Sequence, residues 1–455
     1  MNDADRTLLG NVLGRVERLE IKGVSIDSRK IKEGELFVAI KGDQFDGHDF
    51  VPDAIKNGAW GALVERSTLE NKFSSLGHLK NILAVEDTLY SLQEMSHMHR
   101  RKFTIPLVGI TGSNGKTTTK EMLAAILHQK GPVLKTEGNL NNHIGVPLTL
   151  LKLEPHHTAA AVEMGMSAAG EIDMLARLAS PTIGVITNIG PAHLEFFQNM
   201  DGIADAKGEL LDNLQAGGTA VLNADDVFFG ALKKKYTGKV LSFGIDREAD
   251  VRATEVRQGK DHTDLTMNVD KTAMHVRLRT VGRHNVYNAL AAAGAALAAG
   301  MSVDAVKTGL DGFEPMAMRS ELRQVQGRTV FADFYNANPA SMEAALITLM
   351  TLAPGHQAVA VLGDMLELGA SSADAHREIG RLASRLGVDL LITVGQLAKH
   401  IADGAVDSGM PSERVHETRS HADATGLLRK HTRPGDAVLI KGSRGMKMEK
   451  ILEGF

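Results

Sequence analysis

The chain has 455 residues, 43% of them hydrophobic, no cysteine and a formal net charge of −4. That composition excludes disulfide and thiolate chemistry and does not favour a nonspecific grip on nucleic acid. Its length predicts about three domains. The N-terminus lacks a basic segment followed by an apolar run, and no stretch reaches membrane-spanning length. A cytoplasmic enzyme, monomeric and not inserted in a membrane, is the expectation.

In chain order, residues 1–103 predict a small mixed α/β module. Residues 24–29 and 36–40 are strand-like and 51–59 helical, with a loop at 41–50 rich in turn formers. By itself that loop is only a surface turn. Residues 94–102, polar and basic, predict a helix or linker. From 104 to 314 short apolar strands alternate with helices: strands at 107–110, 159–162, 182–186, 218–222 and 240–243, helices at 169–178, 202–214 and 285–299. Such alternation predicts a largely parallel sheet covered on both faces, with ligands at the strand C-terminal ends. Residues 250–281 alternate apolar and polar and predict a small antiparallel addition. Residues 315–455 form a third α/β unit, doubly wound, with strands at 329–331, 358–362, 390–394 and 437–440 and helices at 341–352 and 373–386.

The residues with chemistry gather at predicted strand ends. Between the strand at 107–110 and a helix with Met122, Leu123, Ile126 and Leu127 on one face lies Gly112-Ser113-Asn114-Gly115-Lys116-Thr117-Thr118. Glycine turn and helix start together make a nest of backbone N–H groups for phosphate oxygens. Lys116 would reach the terminal phosphates of a nucleoside triphosphate and the Thr117 hydroxyl would sit on Mg2+. The general motif opens with glycine five positions before Gly115, where this chain has Ile110. Glu163 follows a strand and is placed either to hold magnesium on the nucleotide or to cap a turn. The turn starting at Asn188 delivers His193 to the same rim, although a lone histidine more often serves the core. Lys207 is either a solvated helix lysine or a desolvated, reactive amine. The amides of Asn285 and Asn288 can read an adenine edge, and Asn285 can instead cap a helix. Arg319 and Asp333 follow the second linker, so a cation from a separate domain would clamp the γ-phosphate on closure.

Together these pieces resemble the Mur ligase family, ATP-dependent amide-forming enzymes of peptidoglycan precursor synthesis, whose core folylpolyglutamate synthases also share. The resemblance rests on Thr111 to Thr118, Glu163, Thr187 to His193, Ala206-Lys207-Gly208-Glu209, His284-Asn285, Arg319 and Asp333. The segments 137–147, 335–342, 362–369 and 441–449 are similar to the branch that adds D-alanyl-D-alanine to UDP-N-acetylmuramoyl-tripeptide. A diaminopimelate-selecting Asp-Asn-Pro-Arg tetrapeptide is not recognisable, and Asn336-Ala337-Asn338-Pro339 stands instead. Met318 takes a place where the family commonly has glycine, and residues 195–199 are bulkier than expected.

The resemblance implies a fold of three α/β domains: a UDP-substrate module (1–103), a central ATP-binding P-loop sheet (104–314) and a Rossmann-like domain (315–455) that binds the dipeptide and closes on ATP. It implies UDP-substrate contacts at Ser28, Arg29, Phe45, Asp46, Gly47 and His48, and a muramoyl-facing role for Asn139, Asn141 and Asn142. Tyr335, Asn336 and Asn338 would meet the dipeptide. Gly112 to Thr118, Asn285, Asn288, Arg319 and Asp333 would bind the nucleotide. Thr117 and Glu163 would hold one magnesium, with His193 and a carbamylated Lys207 at a second. Lys116, Lys207, His193 and Arg319 would carry the catalysis.

Overall fold

Three sheets organise the chain in a computed structural model that describes residues 3–17, 20–72, 81–191, 197, 199–316 and 318–455. The N-terminal sheet is four-stranded and parallel, in the order Gly23–Ser25, Glu35–Val38, Gly61–Glu65, Ile82–Val85. Its side chains alternate between faces, as strand geometry requires. Leu36, Val38, Leu63 and Val85 pack against Leu9, Leu13, Leu92 and Met95 of two helices. Phe37, Ala39, Ala62 and Val64 pack on the other side against Val51 and Ala54. The expected strand at 24–29 stops at Ser25, because Asp27 turns the chain by accepting from the Arg29 N–H and pairing with its guanidinium. The stretch expected as helix or linker falls, up to residue 100, in the helix Thr88–Arg100, started by Asp87, whose side chain accepts from Tyr90 N–H.

The central sheet has nine strands among the described residues, and it is mixed rather than wholly parallel. Leu107–Thr111, fully buried, lies between Ile183–Ile186 and Ala159–Glu163, parallel to both. Burying Val108 and Ile110 contributes on the order of 1.5–3 kcal/mol each, so the strand below the phosphate loop is firmly set. The helices Lys116–Leu127 and Arg283–Ala298 share one apolar core on that sheet. The expected antiparallel addition is present as Val251–Gln258, Thr263–Val269 and Thr272–Leu278, which extend the same sheet beyond Lys239–Gly244.

The C-terminal sheet is doubly wound. Its order is Glu321–Val325, Arg328–Ala332, Ala437–Lys441, Ala358–Gly363, Leu390–Val394, Val415–Thr418, with only the first strand antiparallel. Val330, Val359, Val438 and Ile440 face one helical layer, and Phe331, Ala360, Leu362 and Leu439 face the other. The last parallel strand inserts between two earlier ones, so the loops after Ala332, Gly363 and Lys441 converge at a topological switch point. Val281 of the central domain is buried within this domain's core cluster beside Phe331 and Met342.

Candidate active site

The phosphate loop is clamped from three sides. Gly112 has φ 145° and Gly115 φ 81°. A Cβ on Gly112 would lie 1.9 Å from Thr187 Oγ1, and one on Gly115 would lie 2.1 Å from Asn288 Oδ1. Glycine is therefore required at both positions by space as well as by conformation. The Thr187 hydroxyl donates to Asn114 O at 2.6 Å, and the Asn188 amide both accepts from Asn114 N–H and donates to its carbonyl at 3.0 Å. Ser113 Oγ donates to Gly190 O and accepts from Gly190 N–H, each at 2.8 Å. The segment after the strand Ile183–Ile186 thus holds the loop's backbone in shape.

Lys116 curls over this loop, its Nζ donating to Gly112 O at 2.7 Å and Ser113 O at 3.3 Å. Burial lowers its pKa, Glu163 opposes that shift, and the charge of Arg319 adds to it. Glu163, buried at the end of its strand, accepts from Thr117 Oγ1 at 2.8 Å and from Asn141 Nδ2 at 2.8 Å. Its own N–H donates to Thr136 Oγ1 at 2.9 Å. The Thr136 carbonyl in turn accepts from Lys120 Nζ at 2.6 Å.

Sequence reading missed Lys120 and Thr136, both fully buried. The signal was available: Lys120 falls on the same helical stripe as Leu123 and Leu127, where a lysine is out of place unless it has a partner. That partner is Glu121, at 2.9 Å, which also pairs with Lys135.

Lys207 sits on the inward face of the helix Met200–Asp212, in line with Ile203 and Leu211, and is 2% exposed. Asn199 caps that helix, accepting from Gly202 N–H at 2.9 Å. Burial drives the Lys207 pKa well below the ordinary lysine value, and the Lys116 charge lowers it further. His193 lies outside the described residues.

The third domain reaches the same place. Asn338 Nδ2 donates to Asn114 Oδ1 at 2.8 Å, while its Oδ1 caps the helix Pro339–Leu352. The Arg319 guanidinium lies 3.6 Å over the Tyr335 ring centroid. Arg319 also lines a small cavity with Thr118, Thr280, Asn285, Phe313, Pro315 and Met316, directly beside the loop. Asp333 pairs with buried Lys441 at 2.5 Å and accepts from Ser320 N–H at 3.0 Å. His284 Nε2 lies 3.1 Å from Ser320 Oγ. Lys441 and His284 carry this junction; the sequence reading held them only inside the family-like stretches 441–449 and 284–285, without a role of their own, Lys441 because it ends an otherwise apolar strand.

Other expected residues have internal work in this state. Asn285 donates to Thr280 Oγ1 and Val281 O, and its oxygen accepts from Asn288 Nδ2. Both amides are therefore engaged by the protein, and Asn288 backs Gly115 rather than facing outward. His48 is fully buried, between Asp46 at 2.6 Å and the Glu65 N–H, which donates to Nε2 at 2.9 Å. Its ring shapes the loop, and both of its nitrogens are engaged within the protein. Gly47 is required there because a Cβ would lie 2.6 Å from Ile40 backbone atoms. Ser28 is buried, with its carbonyl accepting from Asn57, whereas Arg29 and Phe45 are exposed. Asn139 and Asn142 are exposed, and Asn142 Oδ1 accepts from Gly145 N–H at 2.9 Å. Asn336 is exposed, and its carbonyl accepts from Lys441 Nζ at 3.0 Å.

Comparison with known proteins gives this geometry a family. Residues 20–98 match the model described as "Mur ligase family, catalytic domain", 110–296 the Mur ligase middle domain, and 318–444 the Mur ligase glutamate ligase domain. The UDP-N-acetylmuramoyl-tripeptide–D-alanyl-D-alanine ligase of Bacillus subtilis is 36% identical, over 96% of this chain and 93% of its own. That of Escherichia coli is also 36% identical, over 96% and 94%. A crystal structure of MurF from Acinetobacter baumannii superposes with a TM-score of 0.87 at 34% identity, covering 95% of this chain and 93% of that one. MurF from Thermotoga maritima in complex with ADP superposes at 0.84 with 29% identity, covering 96% and 97%. The chain belongs to the Mur ligase family.

Proposed function

We propose that this protein is an ATP-dependent ligase that joins D-alanyl-D-alanine to UDP-N-acetylmuramoyl-tripeptide, yielding the pentapeptide precursor of peptidoglycan, ADP and phosphate. The observation that carries this reading is convergence on one loop. Lys116, the Thr117–Glu163 pair and buried Lys207 belong to the central domain, while Arg319 and Asn338 come from the third. ATP and a UDP-linked precursor are cytoplasmic, which puts the reaction there, carried out by a single chain.

The chemistry follows from a weak electrophile. A tripeptide carboxylate oxygen attacks the γ-phosphorus, the bond to the β-phosphate oxygen breaks, and ADP leaves an acyl phosphate behind. The dipeptide amine then attacks the acyl carbon. The tetrahedral intermediate collapses with cleavage of the carbon–oxygen bond, phosphate departs with the electron pair, and the amine loses its proton. Backbone N–H groups of residues 112–118 orient the phosphates, and Lys116 with Arg319 answers charge on the transferring group. Because Arg319 belongs to another domain, its contribution is made on closure, when water is excluded.

The Thr117 hydroxyl and Glu163 carboxylate, 2.8 Å apart beside the loop, are hard oxygen donors that fit Mg2+ and would hold it. Bound there, magnesium would neutralise phosphate charge. An amine is no ligand for such a cation. Lys207 qualifies only once its neutral nitrogen has attacked carbon dioxide, forming the N–C bond as one C=O electron pair moves to oxygen and releasing a proton, so that it presents a carbamate; with His193 it would serve the second magnesium. Asn285 and Asp333 would border the nucleotide, with Asn288 acting through Gly115. Ser28, Arg29, Phe45 and Asp46 would serve the UDP moiety, Asn139, Asn141 and Asn142 the muramoyl peptide, and Asn336 and Asn338 the dipeptide.

An isotope test addresses the acyl phosphate. With 18O in the tripeptide carboxylate, the released phosphate is expected to carry one labelled oxygen. Unlabelled phosphate with normal product would exclude that intermediate.

Lys120 offers a second test, because it holds Thr136, which holds Glu163. Lys120→Met is expected to raise the half-saturating magnesium concentration and lower turnover by roughly 10- to 100-fold. Stability should fall by about 1–3 kcal/mol, because the buried Thr136 carbonyl loses its donor while Glu121 keeps Lys135. A magnesium titration beside a thermal melt decides this. Matched losses of stability and activity, with magnesium dependence unaltered, would make Lys120 merely structural.

A further inference from the structure

Arg319 is held in an unusual way. Its two neighbours, Met318 and Ser320, both have left-handed backbones, with φ 65° and 48°. Residues other than glycine persist there only where surrounding structure enforces it. The enforcing bonds come from the segment 333–335. Asp333 Oδ1 accepts from Ser320 N–H at 3.0 Å, and Tyr335 N–H donates to Met318 O at 3.1 Å. Glu321 accepts from Met318 N–H at 3.0 Å. The segment that pins the backbone on both sides of Arg319 also supplies the ring beneath its guanidinium, 3.6 Å away.

We propose that Tyr335 is a positioning residue for Arg319, its ring face aiming the guanidinium at the phosphate loop. The inference rests on the reading of Arg319 as a group that answers charge on the transferring phosphoryl. A ring under the flat face of a guanidinium fixes its plane, while the N–H donors, which lie in that plane, stay available. A carboxylate partner would occupy those same donors and would have to be displaced at every turnover. Asp333, the acid tied to this segment, is instead engaged by Lys441 at 2.5 Å. The arrangement orients the arginine without consuming the hydrogen-bonding capacity the reaction requires. The Arg319 charge already bears on Lys116, so the aimed group and the loop lysine share one field.

The test keeps side-chain shape and changes only the ring's electrostatics. Phenylalanine and its mono-, di- and trifluorinated analogues are introduced at position 335 in the full-length protein. Turnover and the affinity for a nonhydrolysable ATP analogue are then measured. Each fluorine weakens the ring's attraction for a cation, so kcat is expected to fall stepwise, by about ten-fold across the series. Affinity for the analogue should stay level. In an Arg319→Ala background the series should be flat. A flat series with Arg319 present, or the same decline without it, overturns the role of Tyr335. If Arg319→Ala itself leaves kcat intact, the reading of Arg319 fails instead, whatever the ring does.

Discussion

Lys207→Ala is expected to lower turnover by about 10²- to 10³-fold, the usual cost of removing one charge-stabilising group from a reaction centre. ATP affinity should change far less, because Lys116 and the loop backbone remain. The cause lies in the helix Met200–Asp212, which turns Lys207 inward where other inward positions are apolar. Burial favours the neutral amine, and no carboxylate among the described residues offsets that shift. A neutral amine is the form that takes up carbon dioxide. Added formate or acetate is therefore expected to restore part of the alanine variant's activity by filling the carbamate's place. In the parent, 13C-labelled bicarbonate should give a carbamate signal that Lys207→Ala lacks. An alanine variant with normal turnover would end the carbamate account. Linkage adds a stability check on the uncarbamylated protein. Its folded pKa lies below 10.5, so in that window the unfolded chain binds more protons and stability rises with pH. Lys207→Ala should flatten that slope.

The second large effect is on stability. Lys441→Met should cost roughly 3–5 kcal/mol, the penalty for breaking one side of a buried pair. Lys441 is 2% exposed and donates to the Asp333 carboxylate and to the carbonyls of Asp333 and Asn336. Methionine leaves all three acceptors without that donor. Burial alone would raise the Asp333 pKa, but the Lys441 ammonium reverses this and holds the carboxyl below its ordinary 3.8. The contribution is thus complete above that value and is lost as pH falls through the depressed folded pKa. Urea unfolding of the parent should show this acid limb, and Lys441→Met should remove it. A variant as stable as the parent at neutral pH would contradict the pair's importance.

What was legible in the amino-acid order was mostly local. The phosphate loop is specified within some twenty residues by an apolar strand, two positive-φ glycines and an amphipathic helix, so no distant partner was needed to find it. Glu163 was visible as an acid ending a strand. Lys207 was different: its helix was plain, but which face turned inward depends on a sheet assembled from distant segments. Only its place in a family-like constellation singled it out. Lys120 and Thr136 escaped, and Lys441 was given no role of its own, because their significance lies in hydrogen bonds to groups 16 to 108 residues away. The edge strands Glu321–Val325 and Val415–Thr418 were missed because they are short and largely polar, with one side left open. Asn285 and Asn288 were read as amides able to meet an adenine edge, with helix capping the alternative for Asn285; that they brace each other and Gly115 depends on side-chain contacts the amino-acid order does not display.

The central claim is that one enzyme couples ATP cleavage to addition of a dipeptide on a muramoyl tripeptide. The direct measurement is phosphate release from protein, ATP, magnesium, UDP-N-acetylmuramoyl-tripeptide and D-alanyl-D-alanine, with each component omitted in turn. Sustained release is expected only with all present, accompanied by the UDP-linked pentapeptide in equal amount. Turnover indifferent to the dipeptide, or no turnover in the complete mixture, would contradict the account.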